Sequence, residues 1–348
     1  MDDMNSALPG GIAATEIGNE ALLPSRPLVS VVMTAYLHEK YLADAIAGVL
    51  AQKTDFDYEL LIGEDCSPDQ TRDIALALQE RHPDRLRLIY GPVNIGGLRN
   101  SRRLIKAARG EFIAFCEGDD YWHHPEKLKM QAEAMTASPD ITLCHSDYDR
   151  KIGFRVKRNF HRHHRTERLA KGEAYVDLLH AWTVMTATAM YRTDILKDFL
   201  STKFNNLSWP FGDYSKALYA SVRGSIAYVP VSTATWRKRM GSATNSGYDN
   251  FLRMAMAYAE CRDMFMREFP VASDIEHSVR RESHERIMKR AFYAGNSSVF
   301  ENSYRWLSDN GYQPSNHEWM RFVMNNSLLL STVREGRALI QKLGTLGG

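Results

Sequence analysis

The sequence predicts an α/β protein: a doubly wound, mostly parallel sheet followed by a C-terminal helical region. Three observations carry that expectation. Short β-branched apolar runs alternate with amphipathic segments through the first part of the 348 residues, the order that a parallel sheet with helical crossovers needs. Polar clusters fall directly after those runs, at the strand ends where open α/β sheets bind ligands. From about residue 249 onward the periodicity becomes helical.

Each element has its own signal. Residues 1–27 are small, polar and broken by Pro and Gly, and read as a flexible leader. "LVSVVMT" (28–34) is a buried-type strand, and in the following "EKYLADAIAGVLAQ" Leu42, Ala45, Ile46, Val49 and Leu50 recur at helical spacing. "YELLI" leads to a helix over about 71–81, "RLRLIY" leads through "GPVNIGG" to a helix over 100–109, and "EFIAFC" follows as a strand. Beyond "ITLCHS" the pattern is irregular, with strand-like "ATAMY" (187–191) and "SIAYVP" (225–230). "SDIE" at 273–276 has capping-box spacing and opens a long charged helix. The expected domains are the leader 1–27, a sheet domain 28–248 with halves 28–125 and 126–248, and a helical region 249–348.

Composition removes several function classes. A hydrophobic share of 44% and a charged share of 25% are ordinary for a globular protein. The four cysteines (Cys66, Cys116, Cys144, Cys261) are scattered, so neither a zinc site nor a disulfide framework is expected, and a reducing cytoplasm fits. No basic-then-apolar start and no run of about 18 apolar residues marks a signal peptide or a membrane span. The net charge of +2 conceals a basic patch: residues 150–171 hold nine Lys or Arg against one acid, Glu167. That patch is expected to meet an anionic partner, such as an acidic membrane face, placing the protein in the cytoplasm or peripherally at the inner face of the membrane. No nucleic-acid motif accompanies it, so nucleic acid is not expected. "HRHH" (161–164) is more simply plain charge than a metal site. Neither a G-x-G-x-x-G fingerprint nor a G-x-x-x-x-G-K-[ST] loop occurs, which removes the main support for dehydrogenase and P-loop functions.

"CEGDDYW" (116–122) crowds Glu117, Asp119 and Asp120 after an apolar run. Such repulsion is unfavourable unless a cation or ligand offsets it. If the chain leaves the strand still extended, Glu117 and Asp119 point to one side, about 7 Å apart, with Gly118 allowing close backbone approach. A hard divalent ion and a diphosphate would then complete the group; a solvated acidic turn is the simpler alternative. The loops "YLHEKY" and "GEDCSPDQT" carry Glu39, Glu64 and Asp65, acceptors suited to the imide and hydroxyl groups of a nucleoside. Asp213 in "FGDY" is expected to lie exposed at a helix start, as a capping carboxylate or as a base. Tyr121 and Trp122 either wall a sugar pocket or pack in the core. Asn94 and Asn100 brace the backbone, and Arg237 and Arg239 bracket Lys238 in a basic turn.

"VSVVMTAYLHEKYLADAIAGVLAQ", "LLIGEDCSPDQT", "NIGGLRN", "GEFIAFCEGDDYW" and "WPFGDYSKALYASVRGSIAYVP", in this order, resemble the family 2 glycosyltransferases of the GT-A fold. The resemblance runs from about Leu28 to Arg239. It implies an inverting glycosyltransferase that moves a sugar from a nucleotide-diphosphate sugar, UDP-linked for preference, to a saccharide or lipid-linked acceptor in cell-surface polysaccharide assembly. It implies that Glu39, Asp65 and Arg99 hold the nucleotide. Glu117-Gly118-Asp119, with Asp120, would be the diphosphate and metal motif, Asp119 the nearer ligand of a divalent cation (Mn²⁺ or Mg²⁺) and Glu117 the second. Asp213 would be the base, and "TWRKRMGS" would approach the diphosphate through Arg237 and Arg239. This chain departs from the pattern at Glu117 (usually Asp), Leu37 (commonly Asn), Cys66 (commonly Gly) and Arg239 (often His). A guanidinium cannot ligate a cation but can pair with phosphate oxygens. The rival expectations are a non-catalytic sugar-nucleotide or glycan-binding module of the same fold and a nucleotidyltransferase.

Overall fold

The computed structural model describes residues 14–159, 168–169, 171–238, 247–313, 316–326 and 328–336. The chain forms two compact units, Met1–Arg237 and Lys238–Gly348. The division falls after Arg237 instead of after residue 248, because Arg237 is the last residue of the sheet.

The strands of the first unit are β1 (Thr15–Ile17), β2 (Val29–Ala35), β3 (Tyr58–Glu64), β4 (Leu86–Tyr90), β5 (Phe112–Phe115), β6 (Tyr121–Trp122), β7 (Ile141–Ile152), β8 (Arg155–Lys157), β9 (Arg168–Leu169), β10 (Met190–Arg192) and β11 (Ser225–Arg237). Its helices are α1 (Leu42–Leu50), α2 (Thr71–Arg81), α3 (Gly97–Ala107), α4 (Lys127–Thr136), α5 (Lys171–His180), α6 (Thr193–Leu200) and α7 (Asp213–Arg223). The sheet order is β1-β4-β3-β2-β5-β10-β7-β11-β6, with β8 on β7 and β9 on β11. β4, β3, β2 and β5 run parallel, as do β7 and β11. β10 is antiparallel to both its neighbours and joins the two parallel blocks.

The core explains the continuous apolar runs. Val29, Val31 and Met33 of β2 and Leu60 and Ile62 of β3 pack with Leu42, Ile46 and Val49 of α1 in one buried cluster. All seven residues of β3 are buried, as expected of a strand covered on both faces. α3 starts three residues earlier than its periodicity suggested, because Gly96 takes φ +85° and gives the chain a turn into the helix. "ATAMY" splits into a 3₁₀ turn (Thr186–Thr188) and β10. "SIAYVP" is the start of a strand that continues, through bulges, to Arg237.

The leader is only partly what its composition suggested. Thr15–Ile17 pair antiparallel with Leu88–Tyr90 of β4, and Leu23 is buried. The physical reason is a buried ionic cluster at the base of the sheet. Glu59 of β3 is fully buried and meets Arg87 at 2.9 Å and Arg109 at 3.0 Å. Two cations around one carboxylate need further acids, and Glu16 and Glu20 supply them, Glu16 to Arg87 at 2.5 Å and Glu20 to Arg109 at 2.8 Å.

The second unit contains α8 (Tyr248–Glu268), α9 (Ser273–Ala294), α10 (Ser297–Asp309) and α11 (His317–Met324). Ile287, Met288, Ala291 and Phe292 of α9 share a core with Leu252 of α8 and Phe300 and Leu307 of α10. The capping box expected at "SDIE" does not form. Ser273 is already the first helical residue, and the cap position is Ala272, with no side-chain bond. Among the described residues no helix is long and apolar enough to cross a membrane.

Leu37 and Cys66, which stand where the resemblance has Asn and Gly, adopt φ +58° and +57°. Left-handed backbone costs a branched or bulky residue about 1 kcal/mol, and Asn tolerates it. Leu37 is half exposed, so little burial is lost on replacing it. Leu37→Asn should stabilise the protein by about 1 kcal/mol, read as a thermal midpoint raised by ~2–4 °C; an unchanged or lower midpoint would show that Leu37 is unstrained.

Candidate active site

In an open sheet the ligand crevice lies where strand order reverses, outside the carboxyl ends of the strands. Here that reversal falls between β2 and β5: the chain passes from β2 outward to β3 and β4, then returns to β5 on the other side. A cleft of about 180 Å³ opens there, lined by Thr34 of β2, Glu117 after β5, Ser101 of α3, Thr186, and Asp213 and Lys216 of α7. It is smaller than a typical pocket for a drug-sized ligand.

The acidic motif continues the β2–β5 pairing as far as Gly118 and turns there into Asp120. Cys116 N–H donates to Val32 O (3.1 Å) and Gly118 N–H to Thr34 O (3.0 Å), prolonging the β2–β5 pairing, and Asp120 N–H then donates back to Glu117 O (3.0 Å). A Cβ at Gly118 would lie 2.7 Å from His38 Nδ1, so only glycine lets the turn sit this close. The three carboxylates meet different surroundings. Glu117 enters the cleft, and its Oε2 is buried without a hydrogen-bond partner. Burial, then the neighbouring Asp119 carboxylate, pushes Glu117 up to about 8. Asp119 is partly exposed, with its Oδ1 3.8 Å from His38 Nε2. Asp120 is buried and accepts from Arg237 N–H at 2.8 Å. Burial and the two neighbouring acids raise its pKa well above the carboxylate range. Asp120 thus braces the turn through its bond from Arg237 N–H.

Asp213 is the first residue of α7, one position past its N-cap Gly212, and is half buried, not exposed. Its carboxylate accepts from Thr186 Oγ1 (3.1 Å) and from Tyr214 N–H (3.0 Å). Burial raises its pKa, while the Lys216 ammonium and these hydrogen bonds oppose the rise. Lys216, one turn along the same face, was not singled out by the sequence. Its Nζ lies 3.5 Å from Ser101 Oγ and 4.4 Å from the Phe115 ring centroid. Burial lowers its pKa against the pull of Asp213 and Glu117. Trp209, Phe211, Trp182 and Tyr214 form a chain of ring contacts leading to α7.

Other expected residues are placed differently. Asp65 is buried, and its two oxygens accept from Ile95 N–H and Gly96 N–H, both at 2.9 Å; it clamps the loop before α3. Glu39 accepts from Gln70 N–H at 3.3 Å and ties the first two loops together. Arg99 is exposed in the first turn of α3. Asn94 and Asn100 brace backbone as expected, Asn100 donating to Gly63 O at 2.7 Å. The Arg237 guanidinium is held by the protein's own groups, donating to Asp119 O at 3.3 Å. It pairs with Asp44 at 2.8 Å and lies over the rings of Tyr121 (4.3 Å) and Tyr41 (5.3 Å). Tyr121 is occupied in that stack, and Trp122 is a core residue donating to Ala187 O at 2.8 Å, so neither lines the cleft. Arg239, Arg162 and "HRHH" lie outside the described residues.

Among the described residues no group of three His, Cys, Asp or Glu gathers as a closed metal cage. The residues present do fit a cation that draws most of its shell from a bound diphosphate. Glu117 has an unsatisfied buried oxygen, and Asp119, two residues on, offers a second hard donor.

The mostly parallel sheet with its helices is similar in fold to GT-A-type structures. Solved structures share the fold: the mannosyltransferase PcManGT from Pyrobaculum calidifontis in complex with GDP-Man and Mn²⁺ has a TM-score of 0.55 at 14% identity, over 89% of this chain and 87% of that one. TarS 1–349 of S. aureus in complex with UDP-GlcNAc has a TM-score of 0.52 at 17% identity, over 82% and 92%. Residues 30–200, just under half of the chain, match the family described as glycosyl transferase family 2. An uncharacterized protein of Mycobacterium tuberculosis is 40% identical over 116 residues, 33% of this chain and 34% of that one. WfgD of Escherichia coli, a UDP-Glc:alpha-D-GlcNAc-diphosphoundecaprenol beta-1,3-glucosyltransferase, is 33% identical over 122 residues, 35% and 46%. The match therefore spans about a third of the first relative's length and under half of the second's.

Removing the Lys216 charge should raise the Asp213 pKa further, since burial then goes unopposed by it. Carboxyl ¹³C titration should show a higher Asp213 midpoint in Lys216→Met and a nearly unmoved one in Lys216→Arg. Equal midpoints in all three proteins would show that Lys216 does not set the charge of Asp213.

Proposed function

We propose that the protein is an inverting glycosyltransferase that moves a sugar from a nucleotide-diphosphate sugar, UDP-linked for preference, to a saccharide or lipid-linked acceptor in cell-surface polysaccharide assembly. The observation that carries this reading is the placement of Asp213, with Lys216 beside it, on the wall of a switch-point cleft that Glu117 also lines. UDP-linked donors and a diphosphate-lipid acceptor stand in the names of TarS and WfgD and support the donor and acceptor classes.

The chemistry follows from the geometry. The acceptor oxygen attacks the anomeric carbon from the face opposite the nucleotide. The new C–O bond forms as the sugar–phosphate bond breaks, the acceptor proton passes to an Asp213 oxygen, and the nucleoside diphosphate leaves with the electron pair. Lys216 and Thr186 oppose the rise that burial imposes on the Asp213 pKa, and an Asp213 carboxylate can take that proton because the hydroxyl acidifies as the bond forms. Asp119, with Glu117, would hold a divalent cation (Mn²⁺ or Mg²⁺), which when bound supplies positive charge to the departing diphosphate. Arg99 would reach the nucleotide, while Glu39 and Asp65 shape the loops around it.

Asp213→Asn should lower donor turnover by about 10² to 10⁴ with nucleotide affinity nearly unchanged. Unaltered turnover would favour a binding module over an enzyme, and pyrophosphate release from a nucleoside triphosphate would favour nucleotidyl transfer. Calorimetric titration with Mn²⁺ should show weak binding to the free protein and clear binding once UDP is present. Tight binding without nucleotide would mean that the protein supplies the shell itself.

A further inference from the structure

The β7–β8 hairpin is a feature that the cleft does not use. Beyond Asp149 β7 loses its burial and pairs with β8 at Arg150↔Lys157, Lys151↔Val156 and Ile152↔Arg155. Gly153, at φ +57°, turns the chain. The sequence of this hairpin and the residue after it, "RKIGFRVKR" (150–158), holds five basic residues and no acid. At its tip Phe154 is 104% exposed, and Val156 on β8 is 44% exposed.

A fully exposed phenylalanine contributes nothing to a core. Arg150 stands opposite Lys157 across the ladder, so cations gather on one face of the hairpin. Both features become favourable against a surface that is anionic outside and apolar just beneath. Aromatic side chains settle at the boundary of a bilayer, and neighbouring cations are drawn to acidic headgroups. A single-stranded nucleic acid would answer the charges and could stack a base on Phe154, but no recognition motif accompanies the hairpin, and vesicle binding measured against RNA binding separates the two. The rest of the chain outside residues 150–171 has a net charge of −6, so attraction to an acidic surface is confined to this region and orients the protein on it.

We propose that the β7–β8 hairpin docks on an anionic lipid surface, with Phe154 entering the interfacial layer and Lys151, Arg155, Lys157 and Arg158 facing the headgroups. The docking rests on the hairpin alone and stands apart from the reaction proposed for the cleft.

Sedimentation of the full chain with vesicles tests it. Wild type should bind vesicles of about one-third phosphatidylglycerol, ignore pure phosphatidylcholine, and lose binding as salt rises from about 0.05 to 0.5 M. Phe154→Ser, which leaves every charge in place, should lower the partition coefficient about tenfold. The triple variant Arg155→Ser, Lys157→Ser, Arg158→Ser should lower it about a hundredfold, near fivefold per charge. Donor turnover measured without vesicles should stay at the wild-type level in both variants, which separates this proposal from the one for the cleft. Wild type that ignores acidic vesicles, or variants that bind them as wild type does, would overturn the docking. Tighter binding to RNA than to vesicles would overturn it in favour of a nucleic-acid surface.

Discussion

The hydrogen bond from Gly118 N–H to Thr34 O is the contact on which the site depends. It extends the β2–β5 pairing past the end of β5 and pins an acidic turn to the switch point. With the turn held there, its three acids meet different partners. Glu117 lines the cleft, Asp119 comes near His38, and Asp120 accepts from Arg237 N–H. They remain close enough for Asp119 to raise the pKa of both Glu117 and Asp120. Thr34 itself lines the cleft, so the same residue anchors the motif and forms part of its wall.

Many carboxylates around this cleft hold backbone in place. Glu64 accepts from Ser67 N–H and Arg72, Asp65 from two backbone N–H groups, and Asp69 from Thr71 N–H and Glu39 N–H. Loops at strand ends have few backbone partners of their own, and acids that satisfy them make the rim rigid. An acid-rich rim therefore need not be a ligand shell. What distinguishes Glu117 and Asp213 is that they line the cleft itself.

The sheet was largely legible because its strands are continuous apolar runs and its helices keep one buried stripe. Helix Thr71–Arg81 has the very bounds expected of it. The leader was misjudged because β1 is held by Glu16 and its pairing with β4, not by apolar pattern. In the site, Asp213 was legible as a charge at a helix start. Lys216 was not, since a lysine in "DYSKALYASV" looks like a solvated helix position; only the fold shows that α7 is buried along most of its length. The partners of Arg237 and Trp122 were hidden for a related reason. A basic turn suggests an anion and an aromatic after an acidic motif suggests a sugar, yet the actual partners, Asp44 and Ala187, come from distant parts of the chain.

The short strand β1 has a consequence for how the molecule opens. It closes the free edge of β4 with three residues and two glutamates, and everything it touches lies far ahead in sequence. It can dock only after β3 and β4 have met, and it is the element with least to lose on fraying. Each transient release uncovers a row of unpaired amides beside Leu88 and withdraws one of the two acids that neutralise Arg87. An uncovered edge invites another strand to add, whereas a buried guanidinium left short of an acid favours prompt return of the latch. The charge that makes the base of the sheet costly to build thus also guards it against intermolecular pairing.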